Sequence, residues 1–312
     1  MKALEGVEIQ GYGPLHDVRF GLSPERNVLV GPSGSGKSTV LEAIACASFF
    51  AGDWERPGKA PWEAAPSWKL TLRVRVEDAT ILYSYADARW TARSLTGILD
   101  VLDGQVDAGM KLMRQICLLA PTPEWMLSDK SRRERPNSYG MDLLARLSSR
   151  PDLWDEIVQS MHPIAGWTSF RESEGKLSYT EVGSTARLPL DAMSSGARMN
   201  LWLLSLALDP PTGAVVLIDD ADLHLNASEA QFRGQLLRTL STSCQVIVSA
   251  HSGALISEFV DSSDDVLVVS RQPRAGTQVR KLHSCPHALD AVQELGLGEA
   301  SAAYGSRDAV TP

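Results

Sequence analysis

The residues Gly31-Pro32-Ser33-Gly34-Ser35-Gly36-Lys37-Ser38-Thr39 satisfy the spacing GxxxxGK[ST] in full. Glycines at those positions let the backbone curl until several N–H groups face one anion, and a helix starting there adds the positive end of its dipole. The pattern suits the phosphates of a nucleotide: Lys37 reaches the β- and γ-phosphates, and the Ser38 hydroxyl is a ligand for Mg2+. The flanks are those such a loop requires. "NVLV" before it reads as a buried strand, and "KSTVLEAIACASFF" after it has helical spacing. A Gly/Ser-rich turn without function is the bland alternative, and it would need neither flank.

Three further stretches could serve the same chemistry. "AVVLIDD" is an apolar run ending in Asp219 and Asp220. A carboxylate at the end of a buried strand can hold Mg2+ through water, which suits Asp219, and Asp220 is then placed to polarise an attacking water. "MSSGAR" (193–198) puts Ser194 and Gly196 immediately before a helical stretch, and "SAHS" (249–252) puts His251 at the end of another apolar run. Each has a plainer reading alone. Ser194 would be an ordinary helix cap, His251 a satisfied buried histidine, and two aspartates after a strand would mean little. Their order along one chain gives the set its weight.

These residues need a scaffold, and the hydrophobic pattern supplies one. "LEGVEIQGY" and "LHDVRFGL", either side of "GYGP", alternate like an antiparallel strand pair. From 193 onward, helical stretches alternate with "AVVLIDD", "CQVIVSA" and "DVLVVS". Such all-apolar strands predict a mainly parallel sheet covered by helices on both faces, an α/β core. "KLTLRVRVEDATILYSYADARW" predicts two more strands, and 91–160 reads as mainly helical. The expected division is a core from 1–50 and 165–300, an inserted, mostly helical arm over 51–164 with strands near 69–90, and a tail over 301–312.

The order of glycine loop, S-x-G turn with its helix, aspartate strand and histidine strand resembles that of the ABC ATPases. The branch it resembles contains the ATPase parts of OLD-family nucleases, RecF and the SMC heads. "VEIQGYGPLHDVRF" is similar to the strand pair "I-x-N-F-x-x-F" of that branch, "LIDDADLHLN" to "IDEPExHLHP", and "VIVSAHSGALI" to its T-H-S strand and helix. The resemblance covers roughly 1–50 and 165–300. It implies an ABC-type P-loop core that binds ATP with Mg2+ through Gly31–Thr39, with Ser38 and Asp219 on the metal. It also implies catalytic roles for Asp220 and His251. Ser194 and Gly196 would grip a γ-phosphate held by a second copy, so the implied state is an ATP-dependent homodimer. Here the usual asparagine is Ser33, the catalytic glutamate is Asp220, proline is Ala221, the next glutamate is Asp222, and the histidine of "HLHP" is Asn226. Aspartate is one methylene shorter than glutamate, so slow hydrolysis is expected. The family's glutamine loop has no clear counterpart, with Gln105 and Gln115 in range. The chain stops near where OLD proteins begin their nuclease domain, so the expected effector is a separate protein, a nuclease in phage defence or DNA repair. Two rival readings stay open: a non-hydrolysing nucleotide sensor or scaffold, and the ATP-binding subunit of a membrane transporter.

The chain-wide properties fit this frame. A net charge of −8 over 312 residues argues against a surface coated for nucleic acid. Lys130, Arg132, Arg133 and Arg135 form one basic stretch that could contact phosphate backbone, though a solvated loop is the simpler reading. Cys46, Cys117, Cys244 and Cys285 are far apart, as expected of thiols in a reducing, cytoplasmic setting. "MKALEGVEIQ" has no signal-peptide core, and "LWLLSLAL" is too short to span a bilayer, so no membrane partner is expected. His283, Cys285 and His287 have an H-x-C-x-H spacing that could converge from a strand, but no fourth ligand accompanies them, and no metal is expected there. Tyr12 stands where an adenine-stacking aromatic could sit. Trp54, Trp62, Trp68 and Trp90 are read as packing residues or a partner surface.

Overall fold

The alternating residues at the N-terminus form a hairpin. β1 (Ala3–Tyr12) pairs antiparallel with β2 (Leu15–Gly21), from Gly6 opposite Gly21 to Tyr12 opposite Leu15. The computed structural model describes residues 2–50, 68–76, 79–86, 89–94, 111–121, 123, 126–127 and 140–306. β3 (Arg26–Val30) leads through the glycine loop into α1 (Lys37–Phe50). The hairpin extends into a five-stranded antiparallel sheet by adding β4 (Lys69–Val76), β5 (Ala79–Ala86) and β6 (Arg89–Ser94), in the order β2-β1-β4-β5-β6.

The second sheet positions the candidate site. Its strands are β3, β7 (Ile116–Leu119), β11 (Val215–Ile218), β12 (Gln245–Ser249), β13 (Val266–Gln272) and β14 (Gly276–Lys281). The order is β14-β13-β3-β12-β11-β7, all parallel except the edge strand β14. Successive side chains point to opposite faces of a strand, and here both faces are apolar. Leu29, Leu217, Ile247 and Leu267 join one buried cluster with α1 and the antiparallel sheet. Val28, Val216, Val246 and Val266 join a second cluster on the other face. α4 (Ser195–Leu208), α5 (Ala230–Ser241) and α6 (Gly253–Phe259) contribute to that second cluster. So does a small unit made of α2 (Leu143–Ser149), α3 (Trp154–Ala165) and the sheet β8 (Trp167–Ser173), β9 (Lys176–Glu181) and β10 (Leu188–Pro189). α7 (Ala288–Leu295) and α8 (Leu297–Ser306) close the described chain.

Within the stretch expected to be an arm, the strands expected near 69–90 are β4, β5 and β6, and they join the sheet of β1; β7, in a part read as mainly helical, pairs with β11. Leu70, Leu72, Val74 and Ile81 face the core, which is why "KLTLRVRV" alternates. β7 was hidden because a four-residue apolar run, "ICLL", has no period that separates strand from buried helix. Residues 51–67, 95–110 and 128–139, with Trp54, Trp62, Gln105, Lys130, Arg132, Arg133 and Arg135, lie outside the described residues, as does the side chain of Trp90. Tyr12 is no adenine platform. It is 4 % exposed, packed edge-on against buried Trp68 with ring centroids 5.1 Å apart. No described helix is long and apolar enough to cross a membrane.

Candidate functional site

Three adjacent parallel strands, β3, β12 and β11, end on the same edge of the central sheet. Gly31 follows β3, His251 lies just beyond β12, and Asp219 follows β11. Ligands of open α/β sheets bind beyond this carboxyl edge. Gln115 precedes β7 and so lies at the opposite edge, which removes it as a site residue.

The glycine loop is tightly supported. A Cβ at Gly31 would stand 2.2 Å from the Val269 carbonyl oxygen, and one at Gly36 (φ +108°) would stand 2.5 Å from the Thr277 hydroxyl. Only glycine fits either place. Ser35 is buried, and its hydroxyl has no hydrogen-bond partner among the described residues. Ser33 and Ser38 are exposed at the rim, with Pro32 and Thr39 half-buried beside them. Lys37 is only 6 % exposed, and its ammonium donates to the carbonyl oxygens of Gly31 (2.7 Å) and Pro32 (3.2 Å). Burial lowers its pKa, while the carboxylates of Asp220, Asp219 and Asp222, in that order, oppose the shift. The lysine and the aspartates therefore share one electrostatic neighbourhood.

The aspartates are fixed by backbone and by a residue that sequence reasoning passed over. The Ser249 hydroxyl donates to Asp219 Oδ1 (2.7 Å) and accepts from the Asp220 N–H (2.7 Å). Asp220 adopts φ +49°, a conformation that L-residues seldom take and that Asp tolerates better than most. Its pKa is raised by desolvation and then by Asp219 and Asp222, with His251 and Lys37 opposing. Asp222 Oδ2 accepts the N–H groups of His251 (2.6 Å) and Ser252 (2.7 Å), tying the histidine turn to the aspartate loop.

Ser194 and Gly196 stand at the start of α4. Ser194 is exposed, and its hydroxyl caps the helix by accepting from the Ala197 N–H at 3.2 Å. Gly196 is buried, with no room for a Cβ, which would lie 2.8 Å from the His224 carbonyl oxygen. Behind the turn, Arg233 is fully buried and donates to Asn200 Oδ1 (3.0 Å) and to the carbonyl oxygens of Ala221 (3.1 Å) and Leu223 (2.7 Å). Glu229 accepts from Asn200 (3.0 Å) and Asn226 (3.3 Å). Burial brings the Arg233 pKa down to about 10, so it remains a cation at neutral pH. This network joins α4 to the loop after Asp220, and no sequence pattern announced it.

His283, Cys285 and His287 do not lie on a strand. β14 ends at Lys281, His283 pairs with Asp264 (2.6 Å), and His287 begins α7 at φ +56°. Among the described residues no group of three His, Cys, Asp or Glu is placed to hold a metal by itself.

A family model described as an AAA domain matches residues 7–63, the segment centred on the glycine loop. No curated protein sequence matches the chain. Among solved structures, an SMC head bound to the C-winged helix domain of ScpA is 16% identical with a TM-score of 0.61, covering 92% of this chain and 99% of that one. The SMC head domain from Thermotoga maritima is 17% identical with a TM-score of 0.54, over 89% and 98% of the two chains. An Smc head with an extended coiled coil, bound to the C-terminal domain of ScpA derived from Pyrococcus furiosus, is 16% identical with a TM-score of 0.59, over 95% and 100%. The chain has the α/β fold of an SMC head, with a mostly parallel sheet and an antiparallel strand pair.

Proposed function

We propose that the chain binds Mg-ATP in the Gly31–Thr39 loop, hydrolyses it slowly, and closes two copies around the nucleotide to control a separate effector. One observation carries this reading: Lys37 shares an electrostatic neighbourhood with Asp219, Asp220 and Asp222, at the carboxyl edge of the parallel sheet. A lysine taken out of water beside three carboxylates, next to a cradle that only glycine fits, suits a site for an anion and a cation together.

Each residue then has a task. Lys37 exchanges its carbonyl partners for phosphate oxygens, and the loop N–H groups hold the β-phosphate. The buried Ser35 hydroxyl, without a partner among the described residues, supports an anion in this loop. Ser38 and Asp219 offer hard oxygen donors that suit Mg2+. When bound, the ion neutralises charge on the phosphates. Asp220 holds the attacking water and takes its proton as the bond from water oxygen to γ-phosphorus forms and the bond to the β–γ bridging oxygen breaks. Its raised pKa makes it a better base than a free aspartate, while its short side chain limits reach. His251 faces the γ-phosphate. Ser194 and Gly196 clamp the γ-phosphate bound by the partner copy.

The effector in this reading is a separate protein, a nuclease in phage defence or DNA repair. SMC heads of the same fold have been seen with ScpA bound, which supports a head that acts through a protein partner. The shorter Asp220 favours a second reading, a nucleotide sensor without turnover. Calorimetry with Mg-ATP and a phosphate-release assay, on wild type and Lys37→Ala, test both. Saturable binding with slow release, both lost in Lys37→Ala, is expected. Binding without release would favour the sensor, and no binding by the wild type would end both readings.

A further inference from the structure

The glycine loop leans on a residue 242 positions further along the chain. Thr277, at the start of the antiparallel edge strand β14, is fully buried. Its hydroxyl donates to the Ser35 carbonyl oxygen at 2.8 Å, and its own N–H donates to the Pro14 carbonyl oxygen at 2.8 Å. Gly276 before it holds φ +73°, where a Cβ would meet the Pro14 oxygen at 2.4 Å. The threonine is thus pinned between the turn of the first hairpin and the loop. On its other side Gly36 lies so close that any Cβ there would strike the Thr277 hydroxyl.

We infer that Thr277 is a positioning residue for the nucleotide, setting the orientation of the Ser35–Gly36 peptide. This rests on the nucleotide reading proposed above. In a planar trans peptide the C=O and the following N–H point in opposite directions. Holding the Ser35 oxygen on Thr277 turns the Gly36 N–H the other way, away from β14, where the proposal has it meet a phosphate. Glycine at 36 is free to rotate, so without the anchor this peptide could turn over and present a carbonyl oxygen to the phosphates. The hydroxyl thereby converts a flexible glycine into a preset donor.

The two parts of the threonine side chain can be separated. Thr277→Val keeps the shape and removes the donor, whereas Thr277→Ser keeps the donor and removes the methyl. Mg-ATP and Mg-ADP affinities are measured by calorimetry, well below each variant's melting temperature, with wild type and Lys37→Ala alongside. Thr277→Val should bind both nucleotides about 10-fold or more weakly, by a common factor, because the Gly36 N–H serves a phosphate that both contain. Thr277→Ser should bind within about 3-fold of wild type. If the valine chain fails to fold, Thr277→Ala against Thr277→Ser makes the same comparison of hydroxyl alone. Equal affinity in the variants with and without the hydroxyl, beside a wild type that binds and a Lys37→Ala that binds far more weakly, overturns the anchor and leaves the nucleotide reading intact. A wild type that binds neither nucleotide overturns both.

Discussion

Lys37 and Ser194 stand at the starts of two helices, α1 and α4, yet their surroundings differ. Lys37 is 6 % exposed, donates to two carbonyls, and shares its field with three carboxylates of its own chain. Ser194 is exposed and is engaged by its own helix N–H. The charge associated with that second turn, Arg233, is buried behind it and spent on Asn200 and two backbone carbonyls. One region holds charges in tension that a bound ligand would relieve. In the other, the serine is exposed and already capped, and the buried cation behind it is held by an amide and two carbonyls.

Asp220→Asn should lower ATP turnover by about 100-fold or more while ATP stays bound, the range expected for losing a general base. The wild-type rate should also fall as pH drops. The active form is the carboxylate and its pKa is raised, so the loss should begin at a higher pH than for an ordinary aspartate. Phosphate release measured against pH tests both, and the Asn variant should lose that dependence. Full activity in Asp220→Asn would pass the role to another group. Asp220→Glu should raise turnover several-fold if reach alone is limiting, with little change if only charge matters.

Arg233→Met should cost about 3 kcal/mol or more of stability, because the carbonyls of Ala221 and Leu223 and the amide of Asn200 would be left buried without a donor. Urea unfolding midpoints measure it. Lys37→Ala is the counterpart in the charged region. It should weaken Mg-ATP by about 100-fold, through loss of charge-assisted contacts, yet leave stability within about 1 kcal/mol. If Lys37→Ala were the more destabilising of the two, the contrast between a strained region and a finished one would fail.

How much of this was legible in the sequence follows from how far apart the partners lie. The loop spacing, the apolar strands and the first hairpin are local patterns, and the α/β fold with its antiparallel strand pair was readable from them. Ser249 supports Asp219 from a neighbouring strand 30 residues on, and Thr277 reaches Ser35 across 242. Those pairings depend on strand order and register, which no local period encodes. Asp222 follows the same rule, since only the position of the β12 end shows that two backbone N–H groups take its oxygen. The placement of β7 failed through brevity, since four apolar residues satisfy either period.

The smallest effect falls on Ser194, where capping and clamping make opposite demands on one side chain. The observed bond to the Ala197 N–H is a cap, and its loss in Ser194→Ala should cost about 1 kcal/mol. Aspartate caps as well as serine and favours the positive end of the helix, so Ser194→Asp should change stability by no more than a few tenths of a kcal/mol. If the turn is only a cap, Ser194→Asp is therefore silent. If it also meets the γ-phosphate of a partner copy, the added negative charge opposes that contact, and ATP-dependent dimers should be lost while ATP binding by the single chain is kept. ADP, which lacks the γ-phosphate, should promote no dimer in either protein. Light scattering with a poorly hydrolysed ATP analogue, combined with melting curves, reads both quantities from the same samples. An aspartate variant as stable as wild type that still dimerises with the analogue would reduce Ser194 to a helix cap. A wild type that stays monomeric in every nucleotide would remove the partner copy from the proposal altogether. Cross-linking between turns tells head engagement from any association made elsewhere on the chain.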